Sequence, residues 1–188
     1  MPMPVEFEAT EFGGVLLVKT GLFRDERGFF CESYSQGMFA EGGFSEQFVQ
    51  DNLSESSKGT LRGMHYQIAP DVMGKLVRCV KGAVFDVVVD LRHRSPTFGR
   101  WMGQELNEAN GLSLWVPVGF AHGFLSLEDG SLVHYKCTSH HSPACERSLS
   151  YKCPKVGIVW PMEPSVVSAK DAAAPLLDDA EFDFLYEG

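Results

Sequence analysis

The sequence predicts an all-β fold, a sandwich or a barrel, with only a few short helices. Two observations predict it. Short apolar runs rich in β-branched residues recur every 8–14 residues or so, separated by Gly, Pro, Asn and Asp. The 3.6-residue period of amphipathic helices is nearly absent. At 188 residues the chain is long enough for one domain with a real core and cramped for two.

Taken in order, Val15-Leu16-Leu17-Val18 is the first apolar run. Leu61–Gln67 reads as a strand whose alternation places Leu61, Gly63, His65 and Gln67 on one face and Arg62, Met64 and Tyr66 on the other. Leu76–Val80 follows, ended by Lys81-Gly82, and then the β-branched run Ala83–Asp90. Gly99–Leu106, Ser113–Pro117, Gly123–Leu127 and Ser131–Cys137 complete the series. Pro96 and Pro117 fall near strand ends, where proline is tolerated. Asp129-Gly130, between the last two runs, reads as a hairpin turn. Helix is expected in two places. Ser35–Glu41 is stopped by Gly42-Gly43. Ser168–Leu177 opens on an S-x-x-D capping pattern and runs through three alanines to Pro175. No linker, repeat or low-complexity segment interrupts the chain. The expectation is one domain over residues 1–188, with a tail after about residue 165 packing on or near the barrel.

Hydrophobic residues make up 44% of the chain and charged residues 22%, values that argue against disorder. Sixteen Lys and Arg face 25 Asp and Glu, for a net charge of −9, which disfavours nucleic acid and anionic membranes as partners. Six of the acids, Asp171 among them, lie in residues 171–188 beside no Lys or Arg; residues 1–170 carry a net charge of only −3. The N-terminus has no basic region followed by an apolar one, and no run approaches the ~20 apolar residues that span a bilayer. The five cysteines form no C-x-x-C, so a cytoplasmic protein with reduced thiols is expected.

The densest polar cluster runs from Gln50 to Gln67. Within it His65, beside the small Gly63 on its predicted face, is suited to act as a base near neutral pH, because imidazole ordinarily titrates near ~6.5. A hydrogen-bonded core histidine is the plain alternative. A metal centre would need partners, and His122 and His134 are the candidates. However, the residue two after His65 is Gln67, where metal-binding cupin barrels usually place a second histidine, and His140-His141 are adjacent and would face opposite ways on a strand. No metal is expected. In a metal-free site Tyr135 could return a proton from another direction and Lys75 could stabilise an enolate. Arg27 and Arg62, in glycine-containing stretches, suit phosphate oxygens. No Walker lysine pattern, G-x-G-x-x-G or G-x-S-x-G is present, so kinase, dinucleotide-dehydrogenase and α/β-hydrolase readings have no support.

Several stretches together carry a family resemblance: D-E-R-G-F-F-C-E-S, F-V-Q-D-N-L-S-E-S-S-K-G-T-L-R-G-M-H-Y-Q, G-K-L-V-R-C-V-K-G-A-V-F-D-V-V-V-D-L-R, S-P-T-F-G-R-W, L-W-V-P-V-G-F-A-H-G-F and S-A-K-D. From about Glu6 to Leu177 the chain resembles the dTDP-4-dehydrorhamnose 3,5-epimerases, sugar-nucleotide epimerases of the cupin-like group. The resemblance implies a jelly-roll barrel (a double-stranded β-helix), a homodimer and no cofactor. It implies that His65 removes the proton next to the keto group, that Asp171 pairs with it, that Tyr135 delivers a proton to the opposite face and that Lys75 sits near the sugar C4 oxygen. Arg27, Glu32, Gln50, Asn52, Arg62, His122, Glu146 and Lys170 fall where the family contacts nucleotide or sugar, and His140 matches the tyrosine that stacks on the thymine base.

Two positions depart from the family pattern. Leu53 stands where a histidine is common, and His140-His141 stand where an aromatic pair is common. The leading expectation is inversion of both C3 and C5 of a nucleotide-diphospho-4-keto-6-deoxysugar. The alternatives are a 3-epimerase or 5-epimerase acting on one centre, and a non-catalytic sugar-nucleotide-binding module. A metal-dependent cupin enzyme is disfavoured by Gln67.

Overall fold

A computed structural model describes residues 5–187. Its strands are β1 (Val5–Ala9), β2 (Leu16–Thr20), β3 (Phe23–Asp25), β4 (Gly28–Phe30), β5 (Gln50–Ser56), β6 (Thr60–Gln67), β7 (Lys75–Lys81), β8 (Ala83–Asp90), β9 (Trp101–Asn107), β10 (Leu112–Val116), β11 (Phe120–Ser126), β12 (Ser131–Cys137), β13 (Glu146–Ser148) and β14 (Val166–Val167). The helices are α1 (Gln36–Glu41) and α2 (Ala169–Ala172). Two sheets face each other. The first runs β1-β2-β10-β7-β12-β5, and the second β13-β6-β11-β8-β9 with β14 added parallel to β6. β3 and β4 form a separate hairpin. This is the jelly-roll, cupin-like architecture, with the two sheets not closed into one cylinder.

Period-2 alternation decides what enters the space between the sheets. On β8, Val84 and Val88 join Val77 and Cys79 of β7, Phe120 and Phe124 of β11 and Val133 of β12 in one inter-sheet core. The alternate residues Val87 and Val89 point outward, where Leu149, Tyr151, Leu177 and Phe184 of the C-terminal third cover them. Burial on both faces is why β8 reads as a nearly continuous apolar run. On the outer face of the first sheet, Phe39 and Phe44 at and after α1 pack with Val18, Leu76 and Trp115.

Three expectations need correction. Asp129-Gly130 does not make a hairpin: β11 belongs to the second sheet and β12 to the first, so the turn carries the chain between sheets. The helix after Ser168 is one turn, not ten residues. Ser168 Oγ caps it by accepting the Asp171 N–H at 3.1 Å. Pro175 then disfavours helical geometry before it, and tertiary bonds such as Ser150 N–H to Pro175 O (2.8 Å) draw the chain onto the sheet.

The third correction concerns β6. Against β11 its register moves from His65↔His122 to Arg62↔Phe124, three residues on β6 against two on β11. This bulge reverses the alternation. Arg62 and His65 face one cavity, while Leu61, Met64 and Tyr66 share the outer core. Gly63 sits at the bulge with φ +131°, and a Cβ there would meet Gly123 Cα at 2.4 Å and His122 O at 2.9 Å. Gly63→Ala is therefore expected to cost roughly 2–5 kcal/mol in backbone strain and overpacking. In a chain this size that lowers the melting temperature by about 5–15 °C, which a thermal melt would read; an unchanged melt would contradict the close approach.

Candidate functional site

Two adjoining cavities open between the sheets. The larger, about 440 Å³, is lined by Ser54, Thr60, Leu61, Arg62, His65, Lys75, His122, Phe124, Tyr135, Val166, Val167, Ser168, Lys170 and Asp171. The smaller, about 350 Å³, is lined by Gln50, Asn52, His65, Tyr66, Gln67, Met73, Lys75, Tyr135, His141 and Glu146. His65, Lys75 and Tyr135 line both and so mark their junction. The strands explain the convergence. Lys75 shares the inward parity of Val77 and Cys79 on β7, and Tyr135 that of Val133 and Cys137 on β12. His65 comes from β6 of the opposite sheet, turned inward by the bulge.

His65 Nε2 lies 2.6 Å from Asp171 Oδ1. Burial pushes the Asp171 carboxyl up, but the hydrogen bond and charge of His65, the Gly63 N–H and Ser168 outweigh it and hold it below the usual carboxylate range. The carboxylate is thus the acceptor, His65 Nε2–H the donor, and Nδ1 the ring nitrogen left to act as a base. The lowered Asp171 also has a consequence for stability. Its contribution is complete above the ordinary carboxylate pKa of ~3.9 and is lost as pH falls through the lower folded value. Melts of the native protein and Asp171→Asn are expected to keep their gap down to about pH 4 and to converge on further acidification; a gap independent of pH would contradict this.

Burial raises the Tyr135 phenol, with the nearby Cys137 and Glu146 adding to the rise and Arg62 opposing it, so the hydroxyl keeps its proton through neutral pH. Burial lowers the Lys75 ammonium, partly offset by Cys137, Asp86 and Glu146. Lys75 Nζ donates to the His65 carbonyl at 3.5 Å. Arg62 is fixed by donating to Ser56 Oγ (3.0 Å) and Glu55 O (2.9 Å). Glu146 pairs with Lys170; burial raises its carboxyl, but Lys170 and the two nearby histidines bring it below its ordinary value. Gln50 and Asn52 are joined at 3.1 Å, and Asn52 Nδ2–H reaches Cys137 Sγ at 3.4 Å.

Not every residue singled out from the sequence reaches these cavities. Arg27 is 83% exposed at the β3–β4 turn, pairs with Asp25, and lines neither cavity; nor does Glu32. His140 lies in a loop rather than a strand and its carbonyl accepts from Gln67 Nε2–H at 3.3 Å; its neighbour His141 lines the smaller cavity. Gln67 is buried and ties that loop to β6 by accepting the Ser142 N–H at 2.9 Å. His134 faces the other side of the first sheet, away from His65 and His122. Among the described residues no three His, Cys, Asp or Glu side chains converge as metal ligands would. Leu53 is 64% exposed on β5, on the face away from the cavities. The sequence reading missed Met73, Ser168 and His141, along with Asp86, which lies 2.9 Å from His122.

A family model described as dTDP-4-dehydrorhamnose 3,5-epimerase matches residues 9–179. A dTDP-4-dehydrorhamnose 3,5-epimerase of Salmonella typhimurium is 50% identical over 173 residues, covering 91% of this chain and 94% of its own. Among solved structures, a dTDP-6-deoxy-D-glucose-3,5-epimerase from Legionella pneumophila in complex with dTDP-4-keto-L-rhamnose superposes with a TM-score of 0.89 at 43% identity, covering 94% of each chain. A 3'-monoepimerase from Streptomyces bikiniensis in complex with dTDP-quinovose gives a TM-score of 0.84 at 35% identity, covering 90% of this chain and 86% of its own.

Proposed function

The chain belongs to the dTDP-4-dehydrorhamnose 3,5-epimerase family, and on that premise we infer that it is an isomerase inverting C3 and C5 of dTDP-4-keto-6-deoxyglucose. One observation carries the chemistry. The base candidate and the acid candidate stand on opposite sheets and meet at the junction of the two cavities, so a flat sugar ring between them is flanked on both faces.

A ketone at C4 acidifies the C–H bonds at C3 and C5. His65 Nδ1 takes the proton from one face, and the imidazolium formed is stabilised by Asp171. The C–H electron pair becomes an enolate with charge on the C4 oxygen, which the Lys75 ammonium stabilises. The Tyr135 hydroxyl then gives its proton to the opposite face and inverts the carbon. Solvent reloads the tyrosine and unloads the histidine before the second centre reacts. This reading uses no cofactor.

Arg62, Lys170, Gln50, Asn52, His122 and Glu146 line the two cavities and are proposed to hold the sugar and nucleotide. Arg27 and Glu32 stand apart from the cavities of their own chain. Their proposed contact with nucleotide is made in a homodimer, where the β3–β4 hairpin of one copy reaches the site of the other. The exposed Phe23, Phe29 and Phe30 of that hairpin support such a contact. No described helix is long and apolar enough to cross a membrane. The five free thiols suit a cytoplasmic setting.

The test is incubation with dTDP-4-keto-6-deoxyglucose in D₂O, followed by NMR at C3 and C5. Deuterium at both centres is expected. Deuterium at C3 alone would replace the reading with monoepimerisation, and none at either centre despite tight binding would replace it with a binding module.

A further inference from the structure

Beside His65–Asp171 lies a second histidine–carboxylate pair. His122 on β11 is the cross-strand partner of His65, a position at which Cβ atoms stand about 4.5–5.5 Å apart. Its Nε2 is 2.9 Å from Oδ1 of Asp86, which is wholly buried on β8. Asp86 shares the inward face of β8 with Val84 and Val88, both part of the inter-sheet core. Its other oxygen, Oδ2, is buried and accepts no hydrogen bond from the described residues.

A half-satisfied carboxylate between two valines is a poor way to fill a core. A buried acceptor without a donor costs roughly 1–3 kcal/mol, more when charged, and an apolar side chain would avoid that. Its placement instead fits the histidine it holds. A carboxylate on Nε2 keeps the proton on that nitrogen and fixes the ring orientation. Only Nδ1 is then left to act towards the cavity that His122 lines.

We propose that Asp86 is a positioning residue for the epimerisation, holding His122 as its Nε2–H tautomer so that Nδ1 accepts a hydrogen bond from a hydroxyl of the sugar ring lying between the sheets. The two neighbouring histidines thus present the same nitrogen to the cavity for different ends. His65 takes a carbon-bound proton, and His122 fixes the ring against it. This assignment rests on the epimerase reading and adds to it a group that never touches substrate.

The test combines spectroscopy with a double-mutant cycle. In the substrate-free native protein, ¹⁵N–¹H correlations of the His122 ring are expected to show the proton on Nε2; a proton on Nδ1 would overturn the proposal. Asp86→Asn is expected to lower kcat/KM by roughly 10–100-fold and to disturb that tautomer. In a His122→Asn background the same change is expected to add nothing. Undiminished kcat/KM in Asp86→Asn, or a double variant whose loss equals the product of the two single losses, would overturn the proposal, because a purely structural Asp86 would act independently of His122. The native tautomer is read without substrate and without a variant, so a folding failure of Asp86→Asn leaves the test intact. Failure of the native protein to exchange C3 or C5 in D₂O would instead sink the epimerase reading itself.

Discussion

Replacing His65 with Asn is expected to remove deuterium incorporation at both C3 and C5, lowering turnover by at least about 10³-fold while the protein still folds. A positioned base supplies roughly 10²–10⁴-fold, and every ten-fold is about 1.4 kcal/mol of barrier. The loss belongs towards the upper end of that range because one side chain begins every cycle. No other group at the junction can take its place. Tyr135 is held protonated by burial, and the two nearby carboxylates are engaged, Asp171 by His65 and Glu146 by Lys170. His122 has the right chemistry, but it lines only the larger cavity and stands away from the junction that His65 shares with Lys75 and Tyr135. The fold survives because His65 is only partly buried, with 28% of its side chain exposed, so the shorter Asn leaves no closed cavity. The measurement is NMR exchange in D₂O beside a thermal melt. Substantial residual exchange from a folded variant would remove His65 from the role of base.

How far the sequence led differs by element, and the differences have physical causes. β8 and β12 were legible because their residues alternate or run apolar against two packed faces. β5 was not. Its inward positions Gln50, Asn52 and Ser54 are polar because they line the cavities, so the strand reads as a loop. The motif around His65 pointed to the site, yet strict alternation misassigned Arg62, since a bulge depends on the partner strand and only Gly63 hinted at it. Asp129-Gly130 carries the same local turn signal whether the next strand joins the same sheet or the facing one, and that choice is non-local. The S-x-x-D pattern gave the cap of α2 but not its length, because Asp171 is drawn to His65 rather than to a longer helix. Asp86 sits within a run that reads as core. Its meaning emerges only from the register that sets β8 beside β11.

Tyr135→Phe is expected to separate two events that the native protein performs together. Without the phenol, His65 still removes the proton, exchanges it with solvent and returns deuterium to the face it came from. Inversion should fall by about 10²–10³-fold, while deuterium incorporation with retained configuration falls far less. This split follows from the geometry rather than from the residue type. His65 stands on β6 of the second sheet and Tyr135 on β12 of the first, so neither can serve the other's face of a ring held between them. The phenol also suits the acid step in its charge. Burial keeps it protonated, and the enolate that forms beside Lys75 is the strongest proton acceptor it meets during the cycle. Chiral analysis of the product together with deuterium counting makes the comparison. Equal loss of inversion and exchange would mean that Tyr135 acts before or during proton removal, by holding the ring or polarising the ketone. Inversion undiminished in the variant would pass the acid role to solvent entering between the sheets.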